Sequence, residues 1–129
     1  MKSTASDVMK KLKETLDGET YELLLKCLSG YHPRVRDLRG GDFVNMRLRL
    51  LEVIDVRSFR RNNGTIGRLA RLIATDGDDE VIITLWDDDV KMIERVKLGS
   101  DILIVNFKVK NGKYGLELSP ARNGKIIPL

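Results

Sequence analysis

Three of the few aromatic residues in the sequence lie among arginines and lysines. Trp86, the only tryptophan, ends the stretch EVIITLW, Phe59 lies within RSFRRNNG and Tyr114 lies within NGKYG. Aromatic rings can stack on bases while Arg and Lys neutralise phosphates, so this combination is typical of surfaces that hold single-stranded nucleic acid. The candidate basic residues of such a surface are Arg57, Arg60, Arg61, Arg68, Lys108, Lys110 and Lys113.

The position of Trp86 in its strand favours an outward orientation. Alternation in EVIITLW places three apolar side chains on one face, those of Val81, Ile83 and Leu85. Thr84 and Trp86 fall on the other face. We therefore expect Trp86 to be exposed where a base can stack on it. The alternative is that the N-terminal part of the chain covers the ring.

Charge is segregated along the chain, whose formal net charge is +4. Residues 57–71 include five arginines and no acid, whereas residues 76–89 include seven acids and no base. Such segregation is typical of a surface that faces a polyanion. Ordinary solvated charge is the alternative interpretation.

The chain divides into an N-terminal helical appendage, residues 1–31, and a domain formed by residues 32–129. Val8, Leu12 and Leu16 recur at helical spacing. We expect two short helices here, whose apolar stripes suit self-association or a protein partner.

Alternating patterns from Phe43 onward predict five strands. The first, FVNMRLRLLEVIDV, changes phase after Leu50, which indicates a bend. IGRLARLIAT and EVIITLW follow. DDDVKMIERVKLG predicts a short helix with aspartates at its N-cap and first turn and Gly99 at its end. DILIVNFKVK and LELSPARNGKIIPL are the fourth and fifth strands.

The order of three strands, a helix and two strands predicts a mostly-β, five-stranded Greek-key OB-fold barrel, with the helix between strands three and four. Phe107 is assigned to the core, and Phe43 to a structural role.

Residues 34–127 resemble the OB domains of archaeal single-stranded DNA-binding proteins and of replication protein A. The similar segments are DGDDEVIITLW, GSD and YGLEL. The resemblance implies that Trp86 and Tyr114 stack on bases and that Phe59 is the aromatic of the first loop. It also places Arg60, Arg61 and Arg68 among the phosphate contacts. The chain departs from the family at Lys108, where an aromatic is often found.

The function expected from these features is non-enzymatic, sequence-tolerant binding of single-stranded DNA in replication or repair. Two alternatives stay open: an OB-fold that serves as a protein-interaction or scaffold subunit of such a complex, and RNA binding. Neither a catalytic constellation nor a cofactor or metal motif is recognisable, since three adjacent acids (87–89) suit a helix start better than an ion. No apolar run is long enough to span a membrane, so a cytoplasmic setting is expected.

Overall fold

The computed structural model describes residues 34–113 and 115–129 and, in the earlier part of the chain, only Glu14 and Gly18. The N-terminal helices expected within residues 1–31 therefore lie outside the described residues, and so does Tyr114. The proposed boundary between an appendage and a domain remains a prediction.

The described residues form five strands and two short 3₁₀ helices. The strands are β1 (Phe43–Arg60), β2 (Ile66–Thr75), β3 (Glu80–Trp86), β4 (Asp101–Gly112) and β5 (Gly115–Pro128). The 3₁₀ helices are Val35–Asp37 and Asp87–Arg95. The strands close into a barrel in the order β1-β2-β3-β5-β4, and only the β3–β5 pairing is parallel. The predicted five-stranded OB-fold barrel is confirmed.

The long strand β1 takes part in both halves of the barrel. Its first half pairs with β4 and its second half with β2. The register shifts between Leu50 and Glu52 and again between Val53 and Asp55. Bulges of this kind bend a strand and increase its twist. They account for the phase change in the sequence. Beyond them β1 continues in register with β2, and this paired segment is here called the β1–β2 ribbon (55–60 and 66–71).

The core is built from alternate residues of all five strands. Its largest fully buried side chains include Phe107, Met46, Leu72 and Ile83. Burying each such side chain contributes about 1.5–3 kcal/mol. The assignment of Phe107 to the core is confirmed. Phe43, in contrast, is 63% exposed, so the structural role expected for it finds no support in burial.

The helix between β3 and β4 is present, but it is a 3₁₀ helix. Asp87, Asp88 and Asp89 lie in its first turn as expected, whereas none of them is its N-cap residue. Its N-cap residue is Trp86, with no side-chain capping bond. Val90 is buried at the end of the barrel. The helix ends at Arg95, and Gly99 lies beyond it in a turn with φ +80°, a conformation that glycine adopts without strain.

Candidate nucleic-acid interface

Trp86 and Phe59 form an exposed aromatic pair on the outer face of the barrel. Trp86 ends β3 and is 42% exposed, while Phe59 lies near the end of β1 and is half-buried. Their ring centroids are 6.1 Å apart and the ring planes are inclined by 89°. An edge-to-face contact of this kind contributes about 0.5–1.5 kcal/mol beyond the area it buries. The outward orientation predicted for Trp86 from strand alternation is what the structure shows.

Arg61 joins this aromatic pair to the residue that follows Trp86. Its guanidinium carbon lies 5.3 Å from the centroid of the Phe59 ring. Its Nη2 donates to both carboxylate oxygens of Asp87, at 2.8 and 2.7 Å. Arg61 therefore fastens the start of the β1–β2 loop (61–65) to the end of β3. This cation is already paired, so its contribution to a phosphate contact would require breaking that pair.

Asp87 adopts a backbone conformation that few non-glycine residues adopt, with φ +53°. Aspartate tolerates this left-handed region better than most residues. Besides Arg61, its carboxylate accepts a hydrogen bond from the backbone N–H of Arg68, at 3.2 Å. The hydrogen bond from Arg61, followed by that from Arg68, holds the pKa of Asp87 below its usual value. The carboxylate of Asp87 therefore organises the β1–β2 loop rather than capping the helix.

The candidate arginines lie on two different faces of the β1–β2 ribbon. Arg57 lies opposite Leu69, and Leu69 lies opposite Trp86. Because directly opposed residues share a face, Arg57 lies on the face of the aromatic pair. Arg60 is adjacent to Phe59 in β1 and Arg68 is adjacent to Leu69 in β2. Because successive side chains alternate between the faces of a sheet, both arginines lie on the opposite face. The structure thus brings Arg57 and Arg61 together with the rings, and it does not bring Arg60 and Arg68 to the same face.

Arg71, which the sequence analysis did not select, is a further cation on the aromatic face. It lies opposite Thr84 on β3 and opposite Asp55 on β1. Asp55 lies 3.7 Å from Arg71 Nη1 and 3.5 Å from Arg57 Nε. The Nε of Arg71 is buried and has no hydrogen-bond partner. The run of arginines in residues 57–71 contains Arg71. Because Arg71 is two positions from Leu69 on the same strand, alternation alone could have placed it on the outer face.

The other end of this face lies beside the β4–β5 loop (112–115). Lys110 and Lys113 are exposed there. Glu117 lies opposite Lys110, and its Oε2 accepts a hydrogen bond from the hydroxyl of buried Thr84, at 3.1 Å. Lys108 lies further along β4, with its ammonium 5.8 Å from the centroid of the Phe43 ring. The loop carrying Lys113 and the ribbon carrying Arg57 therefore flank β3 at its two ends.

A cleft of about 520 Å³ lies near the β2–β3 turn. Its walls include Ile73, Ile82 and Leu116, and its rim includes the ion pair between Arg36 and Asp79, at 3.0 Å. Acidic residues dominate the adjoining turn (76–80). An apolar cleft with an acidic rim repels a polyanion, so this cleft is not part of the candidate nucleic-acid interface.

Neither a metal centre nor a membrane-spanning helix is found among the described residues. Within residues 34–113 and 115–129, no group of three or more His, Cys, Asp or Glu side chains is placed to hold a metal ion. In the same part of the chain, no helix has the length and apolar character needed to cross a membrane.

Comparison with known proteins relates the chain to archaeal replication proteins. No family model matches it. Replication factor A of Methanothermobacter thermautotrophicus is 29% identical over 122 residues, which cover 88% of this chain but 15% of that protein. The second OB-fold domain of replication protein A from Methanococcus maripaludis has a TM-score of 0.60 and 26% identity, over 75% of this chain and 95% of that domain.

A replication protein A heterotrimer bound to single-stranded DNA contains a similar fold. Its TM-score is 0.67 at 18% identity, over 77% of this chain and 24% of that chain. At this identity the likeness concerns the fold alone. The archaeal sequence relative and the domain from Methanococcus maripaludis confirm the resemblance seen in the sequence. The chain is an OB-fold protein whose sequence is similar to part of archaeal replication factor A, of which it spans 15% of the length.

Proposed function

We propose that this chain binds single-stranded DNA in replication or repair, with little sequence preference and without catalysing a reaction. The observation that supports this most directly is the exposed pair of Trp86 and Phe59, with Arg57 on the same face. Every base offers a π-face, so stacking on such a pair is tolerant of sequence. The paired bases of a duplex are already stacked on each other, so the same surface favours single strands.

The expected affinity follows from the number of contacts. Stacking contributes about 1–3 kcal/mol per base, and each neutralised phosphate adds an electrostatic contribution that falls with salt. Two aromatic rings and a few cations suffice for micromolar binding, which corresponds to about 8 kcal/mol. The relatives named replication factor A, and the solved heterotrimer bound to single-stranded DNA, are consistent with this proposal.

The single tryptophan provides a direct test. We expect a single-stranded oligonucleotide to quench the fluorescence of Trp86, and a duplex of the same sequence to quench it much less. A matched RNA oligonucleotide in the same titration distinguishes the RNA-binding alternative. Unchanged Trp86 emission, together with no binding of any oligonucleotide by fluorescence anisotropy, would contradict the proposal.

A protein-interaction role is the second candidate, and the cleft near the β2–β3 turn favours it. Apolar walls formed by Ile73, Ile82 and Leu116 with an acidic rim suit a basic, amphipathic segment of another protein. Such a role predicts that Ile82→Asp abolishes partner binding while the quenching of Trp86 by DNA is preserved. If instead DNA never changes the emission of Trp86, the interaction role becomes the preferred function.

A further inference from the structure

Phe43 is an exposed ring on the outer face of the barrel, next to Val44, which faces the core. It begins β1 and, at 63% exposure, is the most exposed of the large apolar side chains that the structure describes. Its cross-strand partner is Lys108, whose ammonium lies 5.8 Å from the ring centroid. A cation at this distance is attracted to the ring, and it can hold the ring in place while most of the ring stays accessible to solvent.

The surface around Phe43 is predominantly basic. The outer positions of β1 and β4 on this face are occupied by Arg47, Arg49, Lys108 and Lys110. The carboxylate of Asp101 pairs with Arg47 Nη2 at 2.8 Å and with Arg49 Nε at 3.2 Å. Among the residues that the structure describes, no carboxylate lies within ion-pairing distance of Lys108 or Lys110. This site and the Trp86 face both place an exposed ring beside cations, but the arginines of the Trp86 face are paired with Asp55 and Asp87.

We propose that Phe43 and Lys108 form a second stacking and phosphate-binding site, which the same nucleic-acid strand reaches after it passes the β4–β5 loop. This inference rests on the proposed function and identifies where a longer ligand continues. One base stacks on the ring of Phe43, and the Lys108 ammonium contacts an adjacent phosphate. Lys110 lies between this site and Glu117, and its positive charge offsets the negative charge of the Glu117 carboxylate along the path of the nucleic acid.

The distance between the two sites fits one continuous strand. The path runs along β3 from Trp86 to Thr84, whose hydroxyl donates to Glu117 on β5. It then crosses to Lys110 on β4, follows β4 to Lys108 and crosses to Phe43 on β1. With a rise of about 3.3 Å per residue and a strand spacing of about 4.8 Å, it measures roughly 28 Å. A strand of several nucleotides covers this length, within the site size of about 4–16 nucleotides typical of one OB-fold.

The test compares oligothymidylates of about four and about fifteen nucleotides. The short one reaches only the Trp86 site, and the long one reaches both. We expect Phe43→Ala to weaken binding of the long oligonucleotide roughly 5-fold to 150-fold, the equivalent of one stacked base, and to leave binding of the short one unchanged. Leu98→Ala, a matched control at 60% exposure in the turn before β4, should change neither.

Lys108→Ala should make the salt dependence shallower by about 0.7 in the slope of log K against log salt, for the long oligonucleotide only. A fluorescent reporter tests the site independently. In a Trp86→Phe background, Phe43→Trp places the only indole at the proposed second site. Its emission should respond to the long oligonucleotide and not to the short one.

The outcomes separate this inference from the proposed function. If wild-type Trp86 is quenched normally but Phe43→Ala has no effect at either length, the second site is overturned and the first stands. An equal loss at both lengths would also overturn it, because Phe43 would then act through the Trp86 site or through the fold. If no oligonucleotide affects wild-type Trp86 or binds at all, the proposed function itself fails.

Discussion

Phe59 lies directly across the β1–β2 pairing from Gly67, and its ring occupies the space that a side chain at position 67 would need. A Cβ atom on Gly67 would lie 2.4 Å from Cζ and 2.6 Å from Cε2 of Phe59. These distances are far shorter than any real carbon contact. The absence of a side chain at Gly67 therefore allows the Phe59 ring to lie close to the sheet, beside Trp86.

Gly67→Ala should displace the Phe59 ring and so disturb the aromatic pair. We expect a loss of stability of about 1–3 kcal/mol from overpacking, a change in Trp86 emission and weaker binding of single-stranded DNA. The measurement is a double-mutant cycle with Phe59→Ala. If the clash is the cause, Gly67→Ala costs nothing further once Phe59 has been truncated. Additive losses would show that Gly67 acts through the backbone or through Arg61, whose Cζ would lie 3.0 Å from the added Cβ.

Trp86→Ala should reduce binding more than it reduces stability. Loss of the stacking ring should cost about 1–3 kcal/mol of binding free energy. The ring also packs against Phe59, so about 1 kcal/mol of stability should be lost with that contact. Chemical denaturation and oligonucleotide titration give the two values. Severe destabilisation, of about 3–5 kcal/mol as for a core aromatic, would contradict its assignment as a surface platform.

Arg57 and Arg68 provide a test of which face of the ribbon is used. Both are exposed arginines on the same two strands, but only Arg57 shares the face of Trp86. We expect Arg57→Ala to make the salt slope shallower by about 0.7, one phosphate contact, and Arg68→Ala to leave it unchanged. The reverse result would place the ligand on the opposite face, with Arg60.

The ion pair between Arg61 and Asp87 should make stability depend on pH in acid. Because the folded pKa of Asp87 is lowered, its stabilisation is present above the unfolded value near 3.9 and is lost as the pH falls through the folded pKa. Asp87→Asn should therefore lower the melting temperature at pH 7. This difference from the wild type should shrink as the solution is acidified.

Asp88→Asn serves as the matched control for that experiment. It removes the same charge from the next residue without touching the hydrogen bonds to Arg61 and Arg68. Its melting temperature should not fall below that of the wild type at any pH, because Asp88 repels the neighbouring carboxylate of Asp89. If the two variants behave alike, the effect arises from the net charge of the acidic segment rather than from the contact with Arg61.

The barrel was predictable because its determinants are local. Alternation fixed the inner and outer faces of each strand, and the phase change after Leu50 marked the bend that the bulges of β1 produce. The orientation of Trp86 followed from the same parity. The 3₁₀ character of the segment that follows was not predictable, because Asp87 takes its unusual conformation from partners in distant strands.

The arrangement of the cations was also hard to predict, because it too depends on contacts between residues that are distant in the sequence. Arg61 and Asp87 are 26 positions apart, and they meet only when the β2–β3 hairpin has formed. Arg60 was treated as part of a loop, whereas β1 continues through it and turns it away from Phe59. Phe43 was given a structural role only because it begins the first strand. The sequence does not reveal that its cross-strand partner is a lysine.

The barrel is closed by its shortest strand pairing, in which Ile82 aligns with Glu117 and Ile83 with Leu118. Local opening of a sheet begins where the fewest backbone bonds hold it. Amide hydrogens along this junction should therefore exchange with solvent sooner than those between β4 and β5. A ligand that touches both Trp86 on β3 and the lysines of β4 would hold the two sides of the junction together. Part of its binding free energy would then be measured as protection of these amides, even though the ligand contacts none of them.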